Sequence, residues 1–431
     1  MRVNELYNVK ITDMSNLGYG ICRIDGKVVF VSGAVDGDEC SVRITKAGRD
    51  FSQGEAVEIS IPSPHRKASD CDVCDQCGGC NYRSISYAHE LELKKRYIEG
   101  IFRKNKLDIP VSDVVHDGNI DHWRSKVIYS VGNNGEMGFN AQKSHDIVPN
   151  RICLLESQNI APISAFLRTY FAEKGNCGVK NVCIRSGDAS GEVMVCFVTQ
   201  NDTFDASNEL VDELTSRFTS IVSIIHNVKA DSDGLSFGEK SRILYGKDCI
   251  SDILCGLRFD ISLNSFYQIN HSMTERLYRH ASALADMKSG EKLVDLFCGI
   301  GTIGLYFADR FPKIELSGIE IVPSAVENAK ANALVNGIEN ARFICGDATS
   351  SALDRADVVV VDPPRRGLTA ALIERICDIS PYRIIYISCG PDTLARDLRV
   401  FYEKGYRADG VTPFDLFPRT GHCECCVMLT K

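Results

Sequence analysis

No run of about 18 apolar residues occurs anywhere in the 431-residue chain, so no membrane-spanning helix is expected. The N-terminal M-R-V-N-E-L-Y has no apolar signal core, so a cytoplasmic protein is expected rather than a secreted one. Basic residues are not in excess: 49 Lys and Arg stand against 57 Asp and Glu, a formal net charge of −8. That balance argues mildly against a polyanion partner. It describes long-range steering, however, and a local basic patch remains compatible with it. Internal repeats and low-complexity tracts are also missing, which sets aside solenoids and biased tails. No feature points to an obligate protein partner.

Cysteine, by contrast, is plentiful. There are 19 without a secretory signal, which fits a reducing compartment where clustered thiols read as metal ligands or catalysts rather than disulfides. With 44% hydrophobic residues, the chain is long enough for two or three separate cores.

Residues 1 to about 60 alternate polar and apolar positions between glycine-containing turns, as in G-I-C-R-I-D-G-K-V-V-F-V-S-G-A-V-D-G-D. Short strands at that spacing predict a small OB-like β-barrel. After the linker I-P-S-P-H-R-K-A-S-D and a cysteine-rich stretch comes a helix over 86–106, with Tyr87, Leu91, Ile98 and Phe102 on one face. Its other faces carry Lys94, Lys95, Arg96, Arg103 and Lys104. Such a run is ordinarily a solvated face, with phosphate contact as the alternative. From about 118 to 262, β-like runs such as S-K-V-I-Y-S-V and E-V-M-V-C-F-V-T alternate with helical ones, predicting a mixed α+β domain.

From about 290 the rhythm is βαβ. Five apolar runs, L-V-D-L-F, L-S-G-I-E, A-R-F-I-C, D-V-V-V-V-D and R-I-I-Y-I-S, are separated by helical stretches. They predict a doubly wound, Rossmann-like parallel sheet whose ligands lie beyond the carboxyl ends of the strands. The expected organisation is therefore a multi-domain α/β chain: a barrel over 1–60, a central domain over 61–262 whose helix can pack on the last domain, and a catalytic domain over 263–431.

The first strand leads into D-L-F-C-G-I-G-T-I-G, where Gly299, Gly301 and Gly304 fit G-x-G-x-x-G, and Glu320 ends the second strand. These features alone suit NAD as well as S-adenosylmethionine. Asp295, ahead of the glycines, and Asp347, ending the third strand, tilt the reading toward the cationic S-adenosylmethionine, although either can instead cap a turn. The fourth strand ends in Asp362-Pro363-Pro364-Arg365. Many base-amino methyltransferases hold an aromatic residue where Arg365 stands, so the cation argues against amino-group methylation. The fifth ends in I-S-C-G, with Cys389 at the mouth of the sheet rather than as buried filler. A thiolate there suits C5 methylation of a pyrimidine. Addition to C6 makes C5 nucleophilic, and a base must then remove the C5 proton. Glu424 in T-G-H-C-E-C-C is the candidate base and His422 its rival.

The stretch C-D-V-C-D-Q-C-G-G-C places Cys71, Cys74, Cys77 and Cys80 three residues apart. Zinc sites usually use two pairs separated by a longer loop. The ferredoxin run C-x2-C-x2-C-x3-C-P uses its fourth thiol on a second cluster. The C-x3-C-x2-C of radical enzymes is not present.

D-P-P-R-R-G, then I-I-Y-I-S-C-G-P-D-T, then T-G-H-C-E together resemble the RNA uracil-5-methyltransferases, and the resemblance runs along essentially the whole chain. It implies a TRAM domain over the first 60 residues, Cys389 as nucleophile and Glu424 as base. It further implies Asp362 against the flipped uracil and the cofactor, Phe266 and Arg365 near the base, and Gln268 in S-F-Y-Q-I-N near the cofactor, with Glu320 on ribose and Asp347 on adenine. The family's C-x5-C-G-G-C plus one distant cysteine matches Cys71, Cys77, Cys80 and Cys153, implying a [4Fe-4S] cluster with Cys74 spare. Gly390 stands where the family usually has asparagine. Among family substrates the barrel and cluster point to large-subunit ribosomal RNA over transfer RNA. A cytosine-5 RNA methyltransferase and a non-enzymatic RNA-binding iron–sulfur protein are the alternatives.

Overall fold

The computed structural model describes residues 1–142, 144–204, 207–230, 237–351 and 353–431. Six N-terminal strands form one sheet, in the order Leu6–Lys10, Glu39–Ala47, Phe51–Ile61, Lys27–Ser32, Gly20–Ile24, Asp13–Met14. Alternation along these strands turns Cys22, Val29, Val31, Val42 and Ile44 into a common small core.

The central domain is a seven-stranded sheet running from Lys240–Gly246 at one edge through Ile221–Val228, Val193–Thr199, Val179–Ser186, Lys126–Val131 and Met137–Asn140 to Ile147–Pro149. Helices Ala161–Lys174 and Ser207–Arg217 cover one face, burying Val127, Tyr129, Val182 and Ile184. The opposite face, carrying Cys183, Cys196 and Ile225, merges with the core of the C-terminal domain.

The C-terminal sheet has the order Ala341–Cys345, Glu315–Glu320, Lys292–Leu296, Val358–Val361, Arg383–Ser388, Glu424–Thr430, Arg407–Phe414. The first five strands are the five apolar runs of the sequence, mutually parallel. Val358–Val361 is wholly buried, as a strand covered by helices on both faces must be. Of the last two strands, which the five-run reading did not include, Glu424–Thr430 adds antiparallel to Arg383–Ser388, and Arg407–Phe414 pairs antiparallel with Glu424–Thr430 at the sheet edge. Helix Pro323–Val335 begins on its proline and ends ahead of Gly337 at φ +67°. No described helix is long and apolar enough to cross a membrane.

Helix Tyr87–Lys104 packs Ile98, Ile101 and Phe102 into the same core as Val359, Leu394 and Phe401 of the C-terminal domain. Of its cations Lys94 alone departs from the solvated-face expectation; Arg96, Arg103 and Lys104 are exposed and Lys95 is partly so. Lys94 is buried, its Nζ 2.8 Å from Glu90 and 2.6 Å from Asp415. Arg419 completes the group, donating to Glu90 and to the Ile85 carbonyl. Lys95 is paired with Asp113 and Arg96 with Asp36, which leaves Arg103 and Lys104 exposed in the last turn. Two cations and two carboxylates thus close a nearly neutral buried network between this helix and the segment leading to Glu424. Removing one partner strands the others, so Lys94→Met is expected to destabilise the protein by about 3–5 kcal/mol. Lys95→Met is expected to change stability by at most about 1 kcal/mol. Denaturant unfolding of the two variants checks this, and equal midpoints would rule the network out as a support.

Candidate active site

The carboxyl edge of the C-terminal sheet collects the residues that the motifs singled out. In the antiparallel ladder Ser388 pairs with Cys425, so the next positions, Cys389 and Glu424, come opposite one another. Asp362 directly follows Val361 on the adjoining strand, which pairs with Tyr386. A pocket at this edge is lined by Cys389, Arg365, Thr393, His422, Tyr97 and Asn16, among others. Burial, then the nearby Glu424 and Asp362 charges, push the Cys389 thiol up to about 11, while Arg365 pulls it back toward thiolate. Burial likewise lifts Asp362 to about 7. Glu424 is raised well above the ordinary carboxylate range by burial and by Asp362, against the pull of Arg365. Its Oε2 is buried with no hydrogen-bond partner among the described residues. The site therefore holds protons at neutral pH: a thiol faces carboxyl groups that are poised to gain or lose one.

Gly390 begins helix Pro391–Glu403 with extended backbone, φ −129°, so no left-handed geometry requires a glycine there. A Cβ at that position would approach Thr393 Oγ1 to 2.8 Å. That hydroxyl lies 2.9 Å from the Gly390 carbonyl and 3.3 Å from the Arg365 carbonyl, bridging the two loops where the family's asparagine side chain is missing.

The glycine loop turns through Gly301 at φ +86°, the residue that starts helix Thr302–Arg310. Gly304 is needed for space: its amide donates to Asp295 Oδ2 at 2.9 Å, and a Cβ would come within 2.8 Å of that oxygen. The other Asp295 oxygen is buried and unpartnered among the described residues, and burial pushes the carboxyl up to about 8. Glu320 accepts from the amides of Gly299 and Val322. Asp347 is exposed and accepts the Thr349 amide at 2.7 Å, the turn-capping role weighed from sequence. Gln268 and Phe266 arrive on a separate loop; Gln268 is buried, whereas Phe266 is 69% exposed.

Cys71, Cys77, Cys80 and Cys153 line one cavity, together with Cys74, Arg83 and Arg124. Burial raises the Cys77 thiol and takes Cys80 to about 12, and the nearby Cys153 sulfur adds to both. Cys74 instead turns to Asp75, with Sγ 3.4 Å from Oδ1, and burial raises its thiol too. Among the described residues no three His, Cys, Asp or Glu side chains are already converged as a metal-holding group. The four thiols fit an iron–sulfur cluster by chemistry and by their shared cavity, not by a closed polyhedron.

Sequence reasoning missed what braces the approach to Glu424. The amides of Asn81 and Tyr82, immediately after Cys80, donate to the Arg419 carbonyl, and Gly421 N donates to Asn81 Oδ1. Gly421 lies so close to the barrel that a Cβ would sit 1.6 Å from the Asn16 carbonyl oxygen. Barrel, cysteine segment and catalytic sheet thus meet on one loop. These contacts join residues hundreds of positions apart and leave no local pattern.

A doubly wound sheet with a glycine loop and acids at its carboxyl edge is a nucleotide-binding architecture of the kind that S-adenosylmethionine-dependent methyltransferases use. The model of the tRNA (Uracil-5-)-methyltransferase family matches residues 86–431, and that of the TRAM domain residues 2–57. The chain belongs to this family of RNA uracil-C5-methyltransferases. It is 34% identical to an uncharacterized RNA methyltransferase of Bacillus cereus over 99% of this chain and 97% of that protein. It is 35% identical to one of Staphylococcus aureus over 98% of this chain and 97% of that one. Among solved structures it resembles the Pyrococcus abyssi tRNA (uracil-54, C5)-methyltransferase in complex with S-adenosyl-L-homocysteine. The TM-score is 0.79 and the identity 26%, covering 98% of this chain and 100% of that one.

Proposed function

We propose that the chain methylates C5 of a flipped uracil in RNA, with Cys389 as nucleophile and Glu424 as base. The observation that carries this reading is the ladder register that sets Cys389 opposite Glu424. The Cys389 sulfur adds to C6, and the C5–C6 double bond becomes an enolate with charge on O4. Arg365 favours the thiolate, and Asp362, held near neutrality, is suited to hydrogen-bond the developing oxyanion. S-adenosylmethionine supplies the electrophilic methyl group. Glu424 then takes the C5 proton, the electrons return to the C5–C6 bond, and the thiolate leaves. The base must be extruded, because a stacked ring offers no face for the sulfur. Exposed Phe266 suits stacking on it.

Asp295, with one buried oxygen unpaired, is assigned to the cationic end of the cofactor. Glu320, Gln268 and Asp347 are assigned to its ribose, methyl-donor and adenine regions. Cys71, Cys77, Cys80 and Cys153 are assigned to a [4Fe-4S] cluster, which would pin the segment ahead of Asn81 and so the loop before Glu424. Methyl transfer by thiol addition conserves electrons, so the cluster has no redox part in it.

Large-subunit ribosomal RNA is the substrate inferred from the resemblance. Transfer RNA is the second reading, favoured by the likeness to the P. abyssi enzyme. Because that likeness spans the barrel as well, the barrel alone does not discriminate between them. The test uses anaerobically purified protein, methyl-labelled S-adenosylmethionine and unmodified ribosomal and transfer RNA, digested separately to nucleosides. Label in 5-methyluridine is expected, in the ribosomal fraction, from protein carrying about four iron and four sulfide per chain. Label in 5-methylcytidine would overturn the uracil assignment, and label confined to transfer RNA would overturn the ribosomal one.

A further inference from the structure

Lys126 and Arg185 are direct cross-strand partners in the central sheet. Residues at such positions share a face, here the one that carries Cys183 toward the C-terminal domain. Two cations opposite each other repel, and proteins ordinarily separate such a pair or place a carboxylate between them. Among the described residues none intervenes. Lys126 forms no ion pair among the described residues; its ammonium rests 5.3 Å from the centroid of Phe237. Buried Arg185 spends its two terminal nitrogens on the carbonyls of Ser262 and Ser265 at 2.9 and 2.8 Å. Burial, then Arg185, hold the Lys126 ammonium down at about 8, a direction that an approaching anion would reverse.

The pair is also tied to the loop that carries Phe266 and Gln268, the residues assigned above to base and cofactor. Ser265 precedes exposed Phe266, and the Ser125 amide donates at 2.9 Å to the carbonyl of Ile269, which follows Gln268. Arg185 and Ser125 therefore hold the two ends of the loop assigned to base and cofactor, and Lys126 stands partly exposed beside it. Most cations of helix Tyr87–Lys104, the first candidate for phosphate contact, are spent on internal carboxylates. This pair is not.

We propose that Lys126, backed by the charge of Arg185, is a phosphate-binding subsite that takes the RNA backbone beside the nucleotide being methylated. It rests on RNA being the substrate and adds a contact that positions the strand without reading its sequence. Lys126 makes the contact. Arg185 contributes field while holding the loop, so it is a positioning residue.

Lys126→Met, which keeps the stem on Phe237, and Lys126→Arg, which keeps the charge, are compared with wild type. Unmodified ribosomal RNA fragments and unmodified transfer RNA are titrated separately by filter binding, from about 50 to about 200 mM salt. For the tighter RNA, the Met variant is expected to bind about tenfold more weakly at low salt, as for one lost charge-assisted contact. Its log K against log salt slope should fall by about 0.7–0.9, one phosphate's worth, and the Arg variant should recover both. S-adenosylmethionine affinity and the rate at saturating RNA should stay within about twofold of wild type. The Met variant should unfold no earlier than wild type, since an unpaired cation has been removed. Unchanged affinity and slope would overturn the subsite, as would earlier unfolding, which would reveal a structural partner for the ammonium. If wild type binds RNA in this manner yet transfers no methyl group, the subsite stands and the methyltransferase reading fails. If wild type methylates and the Met variant binds like it, the subsite alone fails.

Discussion

Cys389→Ala is expected to abolish methyl transfer, with a loss of at least about four orders of magnitude, while leaving the fold intact. The thiol is only partly buried and forms no disulfide, so stability should change by at most about 1 kcal/mol. Cysteines crowd this edge, yet the others are poorly placed to replace it. Cys423 lines the same pocket but is buried, with Sγ 3.3 Å from the Phe414 carbonyl, and burial takes Cys425 far from ionisation. The decisive assay uses RNA containing 5-fluorouridine. Fluorine at C5 cannot leave as a proton, so wild type should become covalently attached to that RNA, and Cys389→Ala should not. An adduct that persists in the variant would move the nucleophile elsewhere.

Glu424→Gln is expected to do something different in kind. The amide can neither accept the C5 proton nor release it, so addition and methylation proceed while elimination stalls. Turnover should fall by about 10²–10⁴-fold, with a methylated protein–RNA adduct accumulating on denaturing gels of ordinary uridine RNA. The pH profile carries a second signature. The base works only as carboxylate, and both Glu424 and Asp362 are raised, Asp362 to about 7. Because the Glu424 carboxyl is raised, wild-type turnover should fall as pH drops and Glu424 gains its proton, at a pH well above the ordinary carboxylate range, whereas release from the Gln variant should lack that dependence. Equal turnover of Glu424→Gln and wild type would shift the role to His422, which is exposed at the mouth of the same pocket.

Both predictions depend on a juxtaposition that no stretch of sequence contains. The individual motifs were legible because each is local. Asp295 and the glycines lie within one strand–turn–helix, Asp362 within one strand end, and Cys389 within the next. The five parallel strands were readable for the same reason, since a strand buried on both faces announces itself as an unbroken apolar run. Glu424 was picked out as a residue, but its place at the start of an added antiparallel strand was not. The helix Tyr87–Lys104 shows the converse error. Lys94 and Glu90 look like surface residues by type, and only the arrival of Asp415 and Arg419 makes their burial tolerable.

The sequence by itself determined the class of chemistry: a thiol, an acid-lined glycine loop and a candidate base at the carboxyl ends of a doubly wound sheet, preceded by a barrel and a cysteine ladder. Spacing along the chain sets these features, and short-range geometry follows directly from spacing. Only the tertiary structure decided which side chains face one another. It brought Glu424 opposite Cys389, Asn81 and Asn16 against the loop before Glu424, Cys153 into the cavity of the cysteine ladder, and Lys126 beside Arg185. Those pairings are set by strand register and by packing between distant segments. A slip of one residue in either ladder would turn the same side chains to opposite faces.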